Sequence, residues 1–159
     1  MNMKVVVISD SHGNIANLKH VLGFAKKIKA GAIIHCGDWD NIEAINTVLS
    51  FNLPIYTVLG NADISPEVEK SLEENSKKFD PEFLRIKIGG RKIGIVHSFI
   101  NHESLAINHD IVFAGHRHFK GEEIVGGVKI IHPGALHSNE SSFAVYETDT
   151  NKVEFIDLL

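Results

Sequence analysis

The chain has 159 residues, 43% of them hydrophobic and 23% charged, which fits a single globular domain over residues 1–159 and argues against a disordered tail, a fibre or a coiled coil. Sixteen Lys and Arg against 20 Asp and Glu give a net charge of -4, so the basic excess that attracts a nucleic-acid polymer is absent. Cys36 has no second cysteine to pair with, and the apolar run Val5 to Ile8 is too short for a signal core or a membrane span. A cytoplasmic protein with no membrane partner is expected.

Met3 to Ser9 is apolar and β-branched and predicts a strand, and Ile15, Leu18, Val21, Leu22 and Ala25 then recur at helical spacing. Ala32 to His35 predicts a second strand, Gly37 to Asn41 a loop, and Ile42 to Phe51 a second helix. Pro54 precedes a third strand, Ile55 to Leu59, and Ser65-Pro66 reads as an N-cap and first helical residue of a charged helix reaching about Lys78. Short strands follow: Phe83 to Ile88, a Gly89-Gly90 hairpin turn, Lys92 to His97, Ile111 to Ala114, Val128 to Ile131, Phe143 to Glu147 and Val153 to Ile156. Strand-helix alternation followed by strands alone predicts α/β layers with mixed sheets.

Ten histidines stand in the chain, several of them beside Asp, Gly or Asn at turns. Strand one runs into Asp10-Ser11-His12-Gly13-Asn14, strand two into Gly37-Asp38-Trp39-Asp40-Asn41, and strand three into Gly60-Asn61-Ala62-Asp63. A later strand ends at His97, and another in Gly115-His116-Arg117-His118. Ligands of open α/β sheets bind outside the carboxyl ends of the strands, so these loops converge on one crevice. Asp10, His12, Asp38, Asn61, His97, His116 and His118 are more donors than one four-coordinate ion needs, which points to two metals with one carboxylate between them. Oxygen and imidazole without thiolate suit Mn, Fe, Zn, Co or Ni better than Mg, Ca or Cu(I).

The series Asp10-Ser11-His12, Gly37-Asp38-Trp39-Asp40, Gly60-Asn61-Ala62-Asp63, His97 and Gly115-His116-Arg117-His118 resembles the calcineurin-like metallophosphoesterase superfamily. Within it, the chain is most similar to the small, cap-free bacterial and archaeal phosphodiesterases, and the strand-rich tail with Pro133-Gly134 extends the resemblance over nearly its whole length. The resemblance implies a four-layered α/β/β/α sandwich with its metal site at the strand ends. It implies a first metal on Asp10, His12, Asp38 and His118 and a second on Asp38, Asn61, His97 and His116, bridged by Asp38. Asp38, Asn61 and His116 are the implied catalytic residues. Two divalent transition-metal ions, Mn before Ni, Zn, Fe or Co, would serve a phosphodiesterase that attacks a small phosphoester in line with a metal-bridging hydroxide. A phosphomonoesterase of the same fold and a catalytically weak scaffold for protein interactions are the alternatives. The family often forms dimers or tetramers, so a homo-oligomer is compatible.

Ala62 departs from the family, which often carries there a histidine proposed to protonate the leaving group; Asp63 and His132 are the candidates to replace it. Ser98 and Arg117 stand where the family frequently has Gly and Thr, and Arg117 reads as a solvated loop residue, with a charged hydrogen-bond donor to a substrate phosphate as the alternative. His132 stands where the family commonly has Asn and reads as a supporting residue. His20, His35, His102, His109 and His137 receive no metal. Cys36 reads as a small core residue, Trp39 as either a rim aromatic or packing, and Glu67 to Lys78 as a solvated helix face.

Overall fold

A computed structural model describes residues 2–100, 102–137 and 139–158. Parallel strands β1 (Lys4–Ile8), β2 (Ala32–His35), β3 (Ile55–Val58) and β4 (Lys78–Asp80) are linked by helices α1 (Ile15–Lys27), α2 (Ile42–Leu49) and α3 (Pro66–Asn75). Antiparallel β10 (Ser142–Glu147) and β11 (Lys152–Asp157) complete this sheet, in the order β11-β10-β1-β2-β3-β4. The second sheet has β5 (Phe83–Ile88), β6 (Arg91–Val96), β7 (Ile111–Ala114), β8 (Gly121–Val125) and β9 (Val128–His132), in the order β5-β6-β7-β9-β8.

Successive strand residues point to opposite faces, and the core divides accordingly. Val6, Ile8, Ile33 and Phe143 pack on Leu18, Val21, Leu22, Ile45 and Val48 of the helices. Val5, Val7 and Ile34 face the other way and meet Ile93, Ile95, Ile111, Phe113 and Ile131 of the second sheet. The outer face of the second sheet buries Val96, Val112, Ala114 and Ile130 under Leu105 and Ala106, which belong to a single 3₁₀ turn, Glu103–Ala106. The α/β/β layers are thus full, and the fourth layer is reduced to that turn with its flanking loops. No helix among the described residues is long and apolar enough to cross a membrane.

Two strands escape the sequence pattern. The third helix stops at Asn75, short of Lys78, because Lys78–Asp80 pairs in parallel with Tyr56–Val58 as an edge strand. Gly121–Val125 is an acidic edge strand antiparallel to β9. Its turn, Gly126-Gly127 at φ 57° and 80°, repeats Gly89-Gly90 at φ 55° and 81°, so the hairpin signal was present in the sequence at both places.

Candidate metal centre

Five loops leave the carboxyl ends of β1, β2, β3, β6 and β7 at the same edge of the two sheets. Several hydrogen bonds fix them to one another. Asp10 N–H donates to the Gly37 carbonyl at 3.0 Å and His12 N–H to the Asp38 carbonyl at 3.0 Å. Asp63 accepts from the backbone N–H groups of Asp38, Asp40 and Gly60 at 2.8, 2.9 and 3.0 Å, tying the second loop to the third. Gly60 and Gly115 are required by close approach: a Cβ would collide with the Asp38 carboxylate at the first and with Ser9 Oγ at the second.

The sequence-predicted donors come together in this crevice. Asp10 is fully buried and Asp38 is 2% exposed. His12 Nε2 lies 3.8 Å from Asp10 Oδ1 and 3.3 Å from Asp38 Oδ2, and His118 Nε2 lies 3.6 Å from Asp10 Oδ1. On the other side His97 Nε2 lies 3.4 Å from Asp38 Oδ2 and 2.8 Å from Asn61 Oδ1, and His116 Nδ1 is 3.2 Å from the same Asn61 oxygen. Asp38 stands between the two groups. Asp10 Oδ1 and His12 Nε2 are buried without a hydrogen-bond partner, an exception to the satisfaction of buried polar groups that a cation would remove. With hard oxygens, imidazoles and no thiol among them, these residues fit a divalent metal.

The electrostatics follow from burial and from opposed charges. Burial pushes the Asp10 carboxyl above its ordinary range. Burial also works against ionised Asp38, but the His97 hydrogen bond and charge and the Ala62 N–H hold it well below that range. His97 is raised, because Asp38 and Asp10 outweigh its desolvation. Two carboxylates of one site are thereby pushed in opposite directions.

Other residues singled out in the sequence lie around this edge or away from it. His35 stacks on Trp39 with centroids 3.8 Å apart, bonds Ser11 Oγ through Nε2 at 3.0 Å and accepts the Gly37 N–H at Nδ1 at 3.1 Å. Trp39 is fully buried packing, its Nε1 donating to Thr57 Oγ1 at 3.0 Å, and Cys36 is buried in the core. Arg117 lies 3.9 Å from Glu123 Oε1, and His132 is buried 3.5 Å from the same oxygen. His20 is exposed on α1, while His102 lies 3.7 Å from Glu82 and His109 bonds the Ile107 carbonyl.

One histidine outside the expected set is in the crevice. His137, half-buried, has a ring nitrogen within 4.8 Å of nitrogens of His12 and His118. It follows Pro133-Gly134 in an irregular loop, where no periodicity or motif marked it.

A two-sheet α/β sandwich that gathers carboxylates, an amide and imidazoles at its strand ends agrees with the metallophosphoesterase class that the motifs resemble. The chain belongs to the calcineurin-like phosphoesterase superfamily, whose domain model matches residues 3–151. It is 28% identical to a phosphodiesterase of Methanocaldococcus jannaschii, over 83% of each chain. A probable metallophosphoesterase of Bacillus subtilis is also 28% identical, over 98% of this chain and 91% of the relative. Among solved structures, an archaeal phosphodiesterase superposes with a TM-score of 0.86 at 23% identity, covering 98% of this chain and all of the other; that likeness is one of fold.

Proposed function

We propose that the protein is a dinuclear-metal-dependent phosphodiesterase acting on small phosphoesters. The observation that carries this reading is the pair of orphaned buried atoms, Asp10 Oδ1 and His12 Nε2, facing Asp38 between two sets of imidazoles. In it, Asp10, His12, Asp38 and His118 hold one ion, Asp38, Asn61, His97 and His116 hold the other, and Mn is the first candidate for both. When bound, such a pair supplies Lewis acidity and an acidified water for in-line displacement at phosphorus.

The chain's own residues set the rest. Asp38 stays ionised against burial, so a shared carboxylate is ready without a proton to expel. Asn61 presents its amide oxygen between His97 and His116. Position 62 contributes only a backbone N–H, 2.9 Å from Asp38 Oδ1. Asp63 cannot replace the missing histidine as proton donor, because its two oxygens accept three backbone hydrogen bonds. His132 is engaged beside Glu123. Neither candidate for the missing acid is therefore placed to protonate the leaving group, and leaving groups that are stable anions are favoured.

Metal analysis of the purified protein, with hydrolysis of bis-nitrophenyl, mono-nitrophenyl and alkyl phosphate esters with and without added Mn, tests this. Two metals per chain, aryl diesters cleaved faster than the monoester, and alkyl diesters slower by about 100-fold or more are expected. Comparable rates on aryl and alkyl diesters would sink the leaving-group argument. Two metals without turnover would favour the scaffold reading, and faster monoester cleavage would make the protein a phosphomonoesterase.

A further inference from the structure

The loop after Pro133-Gly134 is anchored to the first metal-binding loop by its backbone. Leu136 N–H lies 3.2 Å from each of the Ser9 and Asp10 carbonyls, and Asn17 Nδ2 donates to the Leu136 carbonyl at 2.6 Å. This anchoring places the His137 ring against His12 and His118, with centroids 4.6 Å away in both cases and edge-on geometry.

His137 Nδ1 is 3.1 Å from the Asp10 carbonyl oxygen. A carbonyl only accepts, so Nδ1 carries the proton and Nε2 keeps its lone pair. His97 and His12 are set in the same way, with Nδ1 on the Cys36 carbonyl at 2.8 Å and on Asp40 Oδ1 at 3.1 Å respectively. An oxygen acceptor on one ring nitrogen is what orients a histidine that binds metal through the other.

We propose that His137 is a ligand of the same ion as Asp10, His12, Asp38 and His118, an eighth protein donor of the centre; this rests on the dinuclear reading above. Donor atoms sharing one ion at about 2.1 Å lie about 3.0 to 4.2 Å apart, close to the spacing within which the His12, His118 and His137 nitrogens already fall. Three imidazoles and two carboxylates make the first position richer in nitrogen than the second. Relative to the second position, the first is shifted away from Mn toward Co, Ni or Zn, because imidazole suits those later metals while oxygen donors suit Mn.

The test is titration of chelator-stripped protein with Co(II), followed by visible absorption, with metal counted after gel filtration. It compares the parent chain, His137→Ala and His137→Asn, whose amide keeps a donor for the Asp10 carbonyl. Expected are two Co(II) bound to every chain at saturation, one of them about tenfold or more weaker in both variants, with a changed visible band. Unchanged affinity and spectrum in His137→Ala would overturn the proposal, as would rescue by His137→Asn, which would assign the ring a hydrogen-bonding role alone. Three Co(II) on the parent and two on the variants would mean a separate ion and would also overturn it. A parent chain binding fewer than two Co(II) would overturn the dinuclear reading itself, before any variant is compared.

Discussion

Left-handed backbone occurs in two settings in this molecule. Asp10, His12, Asp38, Asp40 and His116, at φ 51°, 42°, 65°, 75° and 70°, lie in the loops of the candidate metal centre. Lys29, Asn52, Asn108 and Asn151, at φ 59°, 57°, 66° and 57°, lie in connections outside those loops. An L-residue in this region costs about 1–2 kcal/mol. In the second setting the conformation only turns the chain, and Asn tolerates it well. In the first it aims particular side chains into one crevice, where glycine would relieve the backbone and delete the donor. The same backbone device is thus replaceable in one region and not in the other.

The largest expected effect comes from Asp38→Asn, which keeps a residue suited to positive φ and an acceptor for the Ala62 N–H. It removes the carboxylate proposed to bridge the ions, and metal affinity should fall by more than about 100-fold, beyond what loss of an outer hydrogen-bond partner costs. The melting temperature without metal should fall by no more than the lost charge interaction with His97 accounts for, and the chain should still fold. Two retained metals, or an unfolded variant, would show the loop to be structural rather than functional.

Next comes Gly60→Ala, where the added Cβ meets the Asp38 carboxylate and backbone nitrogen. Overpacking against a fixed loop should cost about 3 kcal/mol. Gly23→Ala, on an open face of α1 with nothing within 4 Å, should instead add about 0.5–1 kcal/mol. Urea denaturation of the metal-free chains reads both, and similar effects at the two glycines would erase the contrast between the regions.

How far these regions could be read from the sequence differs for physical reasons. The donors were legible because each lies at or just beyond the end of a short apolar run, with Gly beside His12, Asp38, Asn61 and His116, so motif and topology pointed to the same edge. Continuous apolar, β-branched runs marked the strands of both sheet interiors. Lys78–Asp80 was not legible, because a three-residue edge strand charged at both ends carries no period, and its pairing with β3 is a tertiary fact. His137 was not legible for a related reason: only the anchoring of Leu136 to Ser9 and Asp10 carries it to the site. The reduced outer layer was hidden because its cover is a single 3₁₀ turn, too short for any pattern.

A smaller effect separates the centre's support from its donors. Burial lowers His35 to about 3, whereas in the unfolded chain a histidine titrates near 6.5. The native state therefore binds fewer protons than the unfolded state between those values. His35 leaves stability intact above about pH 6.5 and subtracts from it progressively as pH falls toward 3. Between pH 7 and 4.5 that loss is about 2–3 kcal/mol. His35→Gln, with an amide to meet Ser11 and Gly37, should lack this share of the acid sensitivity. Equal losses in both chains, by denaturation at the two pH values, would assign the sensitivity to the carboxylates instead.

Lys29 gives the smallest effect and the most direct check on the second setting. Helix α1 ends with Ala30 N–H on the Ala25 carbonyl at 2.9 Å and Lys29 N–H on the Lys26 carbonyl at 3.1 Å, the two bonds of a Schellman ending. Such an ending places its left-handed residue at position 29, where glycine is preferred and this chain has an exposed lysine. Lys29→Gly removes the clash of Cβ with the backbone, offset in part by the greater freedom glycine has in the unfolded chain. A net gain of about 0.5–1 kcal/mol is expected, with metal content and hydrolysis unchanged. A loss of stability would show that Lys29 contributes through its charge at the negative end of the helix, and the conformation would then be as residue-specific in this turn as it is at the centre.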